Sequence, residues 1–260
     1  MKKIIAIMLC LAMTLCVFAG CTAAKKDDGS DAKKYIIASD KSFAPFEFQN
    51  DDGTYVGVDV ELLAAIAEDQ GFKYRMTNDG FDAAMGSVQS GQADAMIAGM
   101  SITEKRQETF DFSDGYFEDG SILVVAQDND TIKSEADLKG KKLAAKNGTV
   151  SKDYTESIKD KYGFEIIYFD QSAEMYQAVA SGNADACFED YSVIAYAIKE
   201  GDVKLKTIGE IVDNSCFYGF AVKKGVNPEL VEMFNKGLAN IKANDKYEEI
   251  LNKYGYSSVK

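Results

Sequence analysis

A twelve-residue pattern occurs twice in this chain. Val88-Gln89-Ser90-Gly91-Gln92-Ala93-Asp94-Ala95-Met96-Ile97-Ala98-Gly99 returns as Val179-Ala180-Ser181-Gly182-Asn183-Ala184-Asp185-Ala186-Cys187-Phe188-Glu189-Asp190. Each copy reads as a helix end, a Ser-Gly stop and a buried strand. A weaker pair precedes it in the same order: Lys34-Tyr35-Ile36-Ile37-Ala38-Ser39-Asp40 against Lys141-Lys142-Leu143-Ala144-Ala145-Lys146. Two pairs in one order predict two lobes of one plan, which suits a chain of 260 residues. Strand and helix patterns alternate along the body. Val60, Leu62, Leu63, Ile66 and Ala67 take the spacing of one helix face, and Gly71 closes it. The alternation predicts an α/β fold in which each lobe is a mixed, mostly parallel sheet flanked by helices.

In such sheets ligands sit beyond the carboxyl ends of the strands. The residues there are Asp40 and Gly99-Met100-Ser101 in the first lobe, Lys146 and Glu189-Asp190 in the second. Two such edges facing each other make a cleft. Composition limits what the cleft can do. The chain has no histidine, which removes Ser-His-Asp and Cys-His nucleophiles, His-ligated zinc and imidazole relays. A net charge of −13 opposes nucleic acid as a partner. There is no phosphate-binding Gly-x-x-x-x-Gly-Lys, no Gly-x-Ser-x-Gly elbow, and Asp128-Asn129-Asp130 lacks the rest of a calcium loop. No cofactor or metal is expected, and the expectation is binding rather than catalysis. An enzyme on this scaffold is the rival reading, with Glu189, Asp40 or Asp190 as general acid or base.

The N-terminus reads as a targeting segment. Lys2 and Lys3 precede an uncharged run, residues 4–24, that is apolar and then small. A retained transmembrane anchor is the alternative. Phe18-Ala19-Gly20-Cys21 resembles a bacterial lipobox, with Phe18 where Leu is usual. The reading is therefore a signal peptide over residues 1–20, lipidation at Cys21 and a polar tether over 21–34. The protein would then sit outside the cell membrane, held to its outer face by lipid. Cys187 and Cys216 read as buried free thiols, since no close-spaced disulfide framework exists.

Four further segments carry a resemblance. They are Ala38-Ser39-Asp40 leading to Phe43-Ala44-Pro45-Phe46-Glu47-Phe48, Gly57-Val58-Asp59-Val60, Ala98-Gly99-Met100-Ser101-Ile102-Thr103-Glu104-Lys105-Arg106, and Asp111-Phe112-Ser113-Asp114-Gly115-Tyr116. With them the chain, from about Tyr35 to Tyr254, resembles the extracytoplasmic solute-binding proteins of ABC importers for polar amino acids, especially those that bind glutamine. The resemblance implies the two-lobed periplasmic-binding-protein fold with two hinge crossings, near residues 116–120 and 214–218. Lobe 1 would comprise 35–117 and 217–260, and lobe 2 would comprise 118–216. It also implies a monomer that takes up a small amino acid and delivers it to an ABC permease. A ligand sensor docking on a receptor is a further reading of the same fold.

A free amino acid carries a carboxylate and an ammonium on one carbon, so its receptor needs a cationic fork and an anion. Arg106 can grip a carboxylate with two parallel hydrogen bonds, and the resemblance gives it that role, helped by Gly99 and Ser101. The plainer reading makes Ser101-Ile102-Thr103-Glu104 a capping box and Arg106 a surface charge. Asp190 matches the ammonium partner. The turn Lys146-Asn147-Gly148-Thr149-Val150-Ser151 adds N–H donors, although Val150 stands where the family commonly has Gly or Thr, so only its backbone carries over. Phe43 and Phe81 match the aromatic positions that sandwich the ligand. Around the side chain stand Asp40, Lys146 and Glu189. Asp and Lys handle the amide in glutamine-binding relatives, whereas Glu189 replaces a usual His and keeps basic amino acids, or cystine, as alternatives.

Overall fold

The computed structural model describes residues 33–212 and 216–257. The expected signal peptide, Cys21 and residues 21–32 of the tether lie outside them. In chain order the elements are β1 (Lys34–Ser39), β2 (Phe48–Gln49), β3 (Tyr55–Val56), α1 (Val58–Gln70), β4 (Lys73–Asn78), α2 (Phe81–Ser90), β5 (Ala95–Met96), α3 (Glu104–Gln107), β6 (Phe110–Phe112), β7 (Phe117–Asp119) and β8 (Ser121–Ala126). Then come β9 (Lys142–Lys146), α4 (Val150–Tyr162), β10 (Glu165–Phe169), α5 (Ser172–Ala180), β11 (Ala186–Asp190), α6 (Tyr191–Glu200), β12 (Leu205–Ile208), β13 (Cys216–Tyr218), β14 (Ala221–Lys223), α7 (Pro228–Ala243) and α8 (Lys246–Lys253). None of the described helices is long and apolar enough to cross a membrane.

The strands form two five-stranded sheets of one plan, ordered β4-β1-β5-β14-β6 and β10-β9-β11-β8-β12. In each, the first three strands are parallel and the last two pairings are antiparallel. The sheets are therefore mixed and mostly parallel: in each, four strands run one way and one, β14 or β8, runs against them. The cause is local: β8 and β14 enter their sheets directly from β7 and β13, which pair antiparallel as a two-stranded ribbon, and so run against their neighbours. The two crossings of the chain are this ribbon.

The repeated pattern has a structural reason. Gly91 and Gly182 take the left-handed conformation that ends α2 and α5 (φ 79° and 76°). The acid of each copy then ties the strand to its sheet. Asp94 Oδ2 accepts from Ile36 N at 2.9 Å, and Asp185 Oδ2 accepts from Lys142 N at 2.8 Å. Ile36 and Lys142 are thus equivalent, so four residues on, Asp40 and Lys146 hold the same position in their two sheets.

Alternation along β1 sends Ile37 to one face and Ala38 to the other. Ile37 packs with Leu62, Leu63 and Ile66 of α1 and Phe234 and Leu238 of α7, while Ala38 packs with Phe81, Ala84 and Val88 of α2. Burying each large aliphatic side chain is worth roughly 1.5–3 kcal/mol. The second sheet is covered likewise, Val124 and Cys187 facing Met175, Val179 and Ile194, and Leu143 and Phe188 facing Ile158 and Phe164. Cys187 and Cys216 are both free thiols. Cys187 is buried as expected, and its pKa is pushed well above normal by burial. Cys216, on the crossing ribbon, is only half-buried.

Candidate functional site

The ends of β1 and β9 meet across the two lobes. Lys146 Nζ lies 2.5 Å from Asp40 Oδ2, with both side chains almost wholly buried. Asp40 Oδ1 also accepts from Lys41 N at 2.6 Å. Lys146 Nζ stands 4.9 Å from the ring centroid of Phe43 and 5.8 Å from that of Phe81. The Arg106 guanidinium carbon is 5.4 Å from the same Phe81 ring. Phe81 is therefore within cation–π reach of both cations, and its ring links the Arg106 and Lys146 ends of the site.

Arg106 is half-buried and bridges the lobes: Nη1 donates to Ser101 O at 2.7 Å and Nη2 to Gly148 O at 2.9 Å. The surface-charge reading therefore does not hold. The capping box is also placed differently. Thr103, not Ser101, caps the single turn of α3, its Oγ1 accepting from Arg106 N at 3.2 Å. Burial draws the guanidinium pKa down and the charge of Asp190 opposes this.

Asp190 ends β11 with Oδ1 accepting from Ser151 Oγ at 3.0 Å and Oδ2 from Tyr218 OH at 2.6 Å. Ser101, Val150, Asp190 and Tyr218 line one small cavity together with Asp119 and Cys216. Asp119 is a residue that sequence reasoning missed. Its carboxylate accepts from Gly120 N at 2.8 Å, from Tyr218 OH at 3.1 Å, and from the Ser192 hydroxyl. Burial, and then the neighbouring charge of Asp190, push its pKa up to about 7.

Glu189 is buried beside the ion pair, Oε2 accepting from Tyr176 OH at 2.7 Å and Oε1 from Asp190 N at 3.0 Å. Burial and the charge of Asp190 raise its pKa to about 7, while Lys146 pulls the other way.

The remaining candidates divide. Gly99 has φ 54°, and a Cβ there would lie 2.5 Å from Phe43 Cε1, so the loop passes the aromatic wall only as glycine. Thr149 Oγ1 is used within its own lobe, accepting from Lys152 N at 3.1 Å as the cap of α4 and donating to Lys146 O at 2.9 Å. Met100 is not brought to the site. Its side chain is in the core with Phe81 and Phe110, and its carbonyl accepts from Gly219 N.

Below the floor lies a second unpredicted group. Asp59 Oδ2 accepts from Gly99 N at 2.7 Å and from Tyr116 OH at 2.8 Å, tying the Gly99 loop to the first crossing. Beside it Glu47 is fully buried, with no N–H, hydroxyl or cation on its carboxyl oxygens and the Asp59 carboxyl as its hydrogen-bonding neighbour. Burial pushes Glu47 well above the carboxylate range and Asp59 up to about 6, the charge of Asp59 adding to the shift at Glu47. The only available signal was two acids, Glu47 and Asp59, inside otherwise apolar motifs.

The profile of the bacterial extracellular solute-binding proteins, family 3, matches residues 35–257. The histidine-binding periplasmic protein of Salmonella typhimurium is 29% identical over 253 residues, 94% of this chain and 96% of that protein. Substrate-binding domain 2 of GlnP from Lactococcus lactis, solved in an open conformation, is 50% identical over 88% of this chain and 98% of its own, with a TM-score of 0.61. An ancestral arginine-binding protein, solved bound to arginine, is 38% identical over 86% and 98% of the two chains, with a TM-score of 0.79. Overlay runs against identity here, as it does when lobes of one fold are set at different angles. The Lys146–Asp40 and Arg106–Gly148 contacts across the cleft place this chain on the closed side.

Proposed function

The chain belongs to the bacterial extracellular solute-binding proteins of family 3, and on that footing we propose that it captures a polar L-amino acid, glutamine first, and delivers it to an ABC permease. The observation that carries the reading is the buried Lys146–Asp40 pair at one end of a site whose other end holds Arg106 and Asp190. The ligand carboxylate takes the Arg106 fork, and the ammonium takes Asp190 with Asp119 behind it. The side chain runs between Phe43 and Phe81 to the ion pair. There a carboxamide completes both partners, its oxygen accepting from Lys146 and its NH₂ donating to Asp40. A guanidinium or second ammonium would meet the charge of Lys146, a repulsion of about 4 kcal/mol at 4 Å and an effective dielectric near 20.

Each lobe holds part of the contacts, so ligand favours the closed arrangement and closure becomes the signal to the permease. Lipidation at Cys21 would keep the protein beside its permease at the outer face of the membrane. Relatives of known ligand bear on the reading from both sides. The ancestral arginine-binding protein was also solved with glutamine bound, at 38% identity and a TM-score of 0.79. A basic amino acid is the second reading, favoured by the added negative charge of Glu189 near Lys146.

Calorimetry of the mature chain with glutamine, glutamate, arginine, lysine, histidine and cystine tests the choice. Glutamine is expected at micromolar affinity or tighter, about −8 kcal/mol or better. Arginine or lysine binding tenfold tighter than glutamine would replace the first reading by the second. Failure of the loaded protein to stimulate uptake by any reconstituted amino-acid importer would remove the transport role.

A further inference from the structure

A cavity of about 590 Å³ adjoins the side-chain end of the site, within the size range of small-molecule pockets. Ser42, Phe43 and Ala44 after β1 line it from one lobe, and Ser172, Tyr176 and Lys204 are among the residues that line it from the other. It shares two walls with the site: Phe43 faces Lys146 Nζ, and Tyr176 OH holds Glu189. To enter it from the Lys146–Asp40 pair, a group has to pass between these two rings.

Two observations say what the cavity would recognise. Ser172 is 3% exposed, lines the cavity, and its hydroxyl makes no hydrogen bond. A buried hydroxyl left unpaired is costly, and a ligand acceptor would relieve it. Ser172 is also the first residue of α5, a nine-residue helix with no side-chain cap. The end of α5 therefore offers backbone N–H donors and the positive end of the helix dipole beside that hydroxyl. By the repeat, Ser172 corresponds to Phe81, the first residue of α2, which lines the site from the first lobe. Lys204 adds a cation and Asp202, on the same wall, opposes it, so recognition falls to the helix end.

We propose that the cavity extends the ligand range to γ-glutamyl amides whose substituent ends in a carbonyl or carboxylate. This rests on the glutamine reading above. The amide oxygen stays on Lys146, the remaining N–H on Asp40, and the terminal acceptor takes Ser172 Oγ and the α5 donors.

The probe is γ-glutamylglycine, titrated into the mature chain beside glutamine. It is expected to bind within about tenfold of glutamine. Ala173→Phe fills the cavity from an exposed position on α5, so it should weaken γ-glutamylglycine about tenfold or more and leave glutamine unchanged. Ser172→Ala should weaken only the γ-glutamyl ligand. The inference is overturned if glutamine binds and γ-glutamylglycine is weaker by more than about tenfold, or if Ala173→Phe weakens both alike. If glutamine itself is refused while arginine binds, the glutamine reading falls and this inference falls with it.

Discussion

Lys146 and Asp40 hold the same position in two sheets of one plan, and their side chains meet in a 2.5 Å ion pair between the lobes. A duplicated strand end thus carries a cation in one copy and an anion in the other. Opening the cleft separates a pair that is buried when closed, so water competes for it only in the open form. In the proposed binding mode the same pair presents a donor and an acceptor to a ligand amide.

Lys146→Met should separate the two ligand classes. It removes the donor to the amide oxygen and leaves Asp40 and Glu189 facing the ligand without a cation. Glutamine affinity should fall by about 100-fold, the cost of a charged hydrogen bond and an unpaired buried carboxylate. Arginine should lose less or gain, because the carboxylates then face its guanidinium. Calorimetry of both ligands reads the ratio; unchanged glutamine affinity would remove Lys146 from the site.

Arg106→Ala should abolish binding of every α-amino acid, with affinity at least about 100-fold weaker, because the fork that grips the carboxylate is lost. Arg106→Lys should fail to rescue it, since a point charge cannot also hold Ser101 O and Gly148 O. Glutamine binding within a few-fold of wild type in Arg106→Ala would mean that the site is elsewhere.

Glu47 gives a prediction about stability. Its folded pKa lies well above its unfolded one, so between these values folding takes up a proton and stability falls as pH rises. Glu47→Gln keeps the shape of the neutral acid and removes the penalty. At pH 7 the variant should be more stable than the wild type, with a flatter pH profile above pH 4.5. Asp59→Ala should go the other way by about 2–4 kcal/mol, since it leaves Gly99 N and Tyr116 OH unpaired. Urea unfolding across pH 5–8 reads both; a Glu47→Gln protein less stable than wild type at pH 7 would contradict a protonated Glu47.

What could be read in the sequence follows from periodicity and repetition. The repeat gave the shared plan of the two sheets, and the rule that ligands lie beyond strand ends brought Asp40, Lys146, Glu189 and Asp190 to one place. Met100 was misplaced because β5 ends at Met96 and the chain then turns through Gly99 (φ 54°), so no strand period marks where the Met100 side chain goes, which is the core. Asp119 and Tyr218 were missed because they lie on the crossing ribbon, where pairing between residues about 100 apart creates the pocket and no local pattern marks it. Asp59 and Glu47 were hidden for another reason: an acid in an amphipathic motif reads as solvated until burial is known.

The pH response of binding depends on the ligand, and Glu189 decides it. A chain without histidine would be expected to bind almost evenly between pH 6 and 8 unless Glu189 titrates there. Burial and Asp190 raise its pKa to about 7, so it does. The free protein therefore loses stability as pH rises from about 4.5 to 7, because the folded acid holds a proton that the unfolded one has released. A cationic side chain beside Glu189 favours the ionised form, so arginine binding should release a proton and strengthen as pH rises from 6 to 8, by up to about tenfold per unit below the pKa. A neutral carboxamide lacks that preference, and glutamine affinity should change by less than about threefold. Asp119, also at about 7, lies near Asp190, at the proposed α-amino end, and there would act on both ligands alike, so the arginine-to-glutamine ratio cancels it. Titrations at pH 6, 7 and 8 in buffers of different ionisation enthalpy count the protons. The ratio should rise with pH in the wild type and stay flat in Glu189→Gln; a rise that survives that substitution would place the titrating group elsewhere.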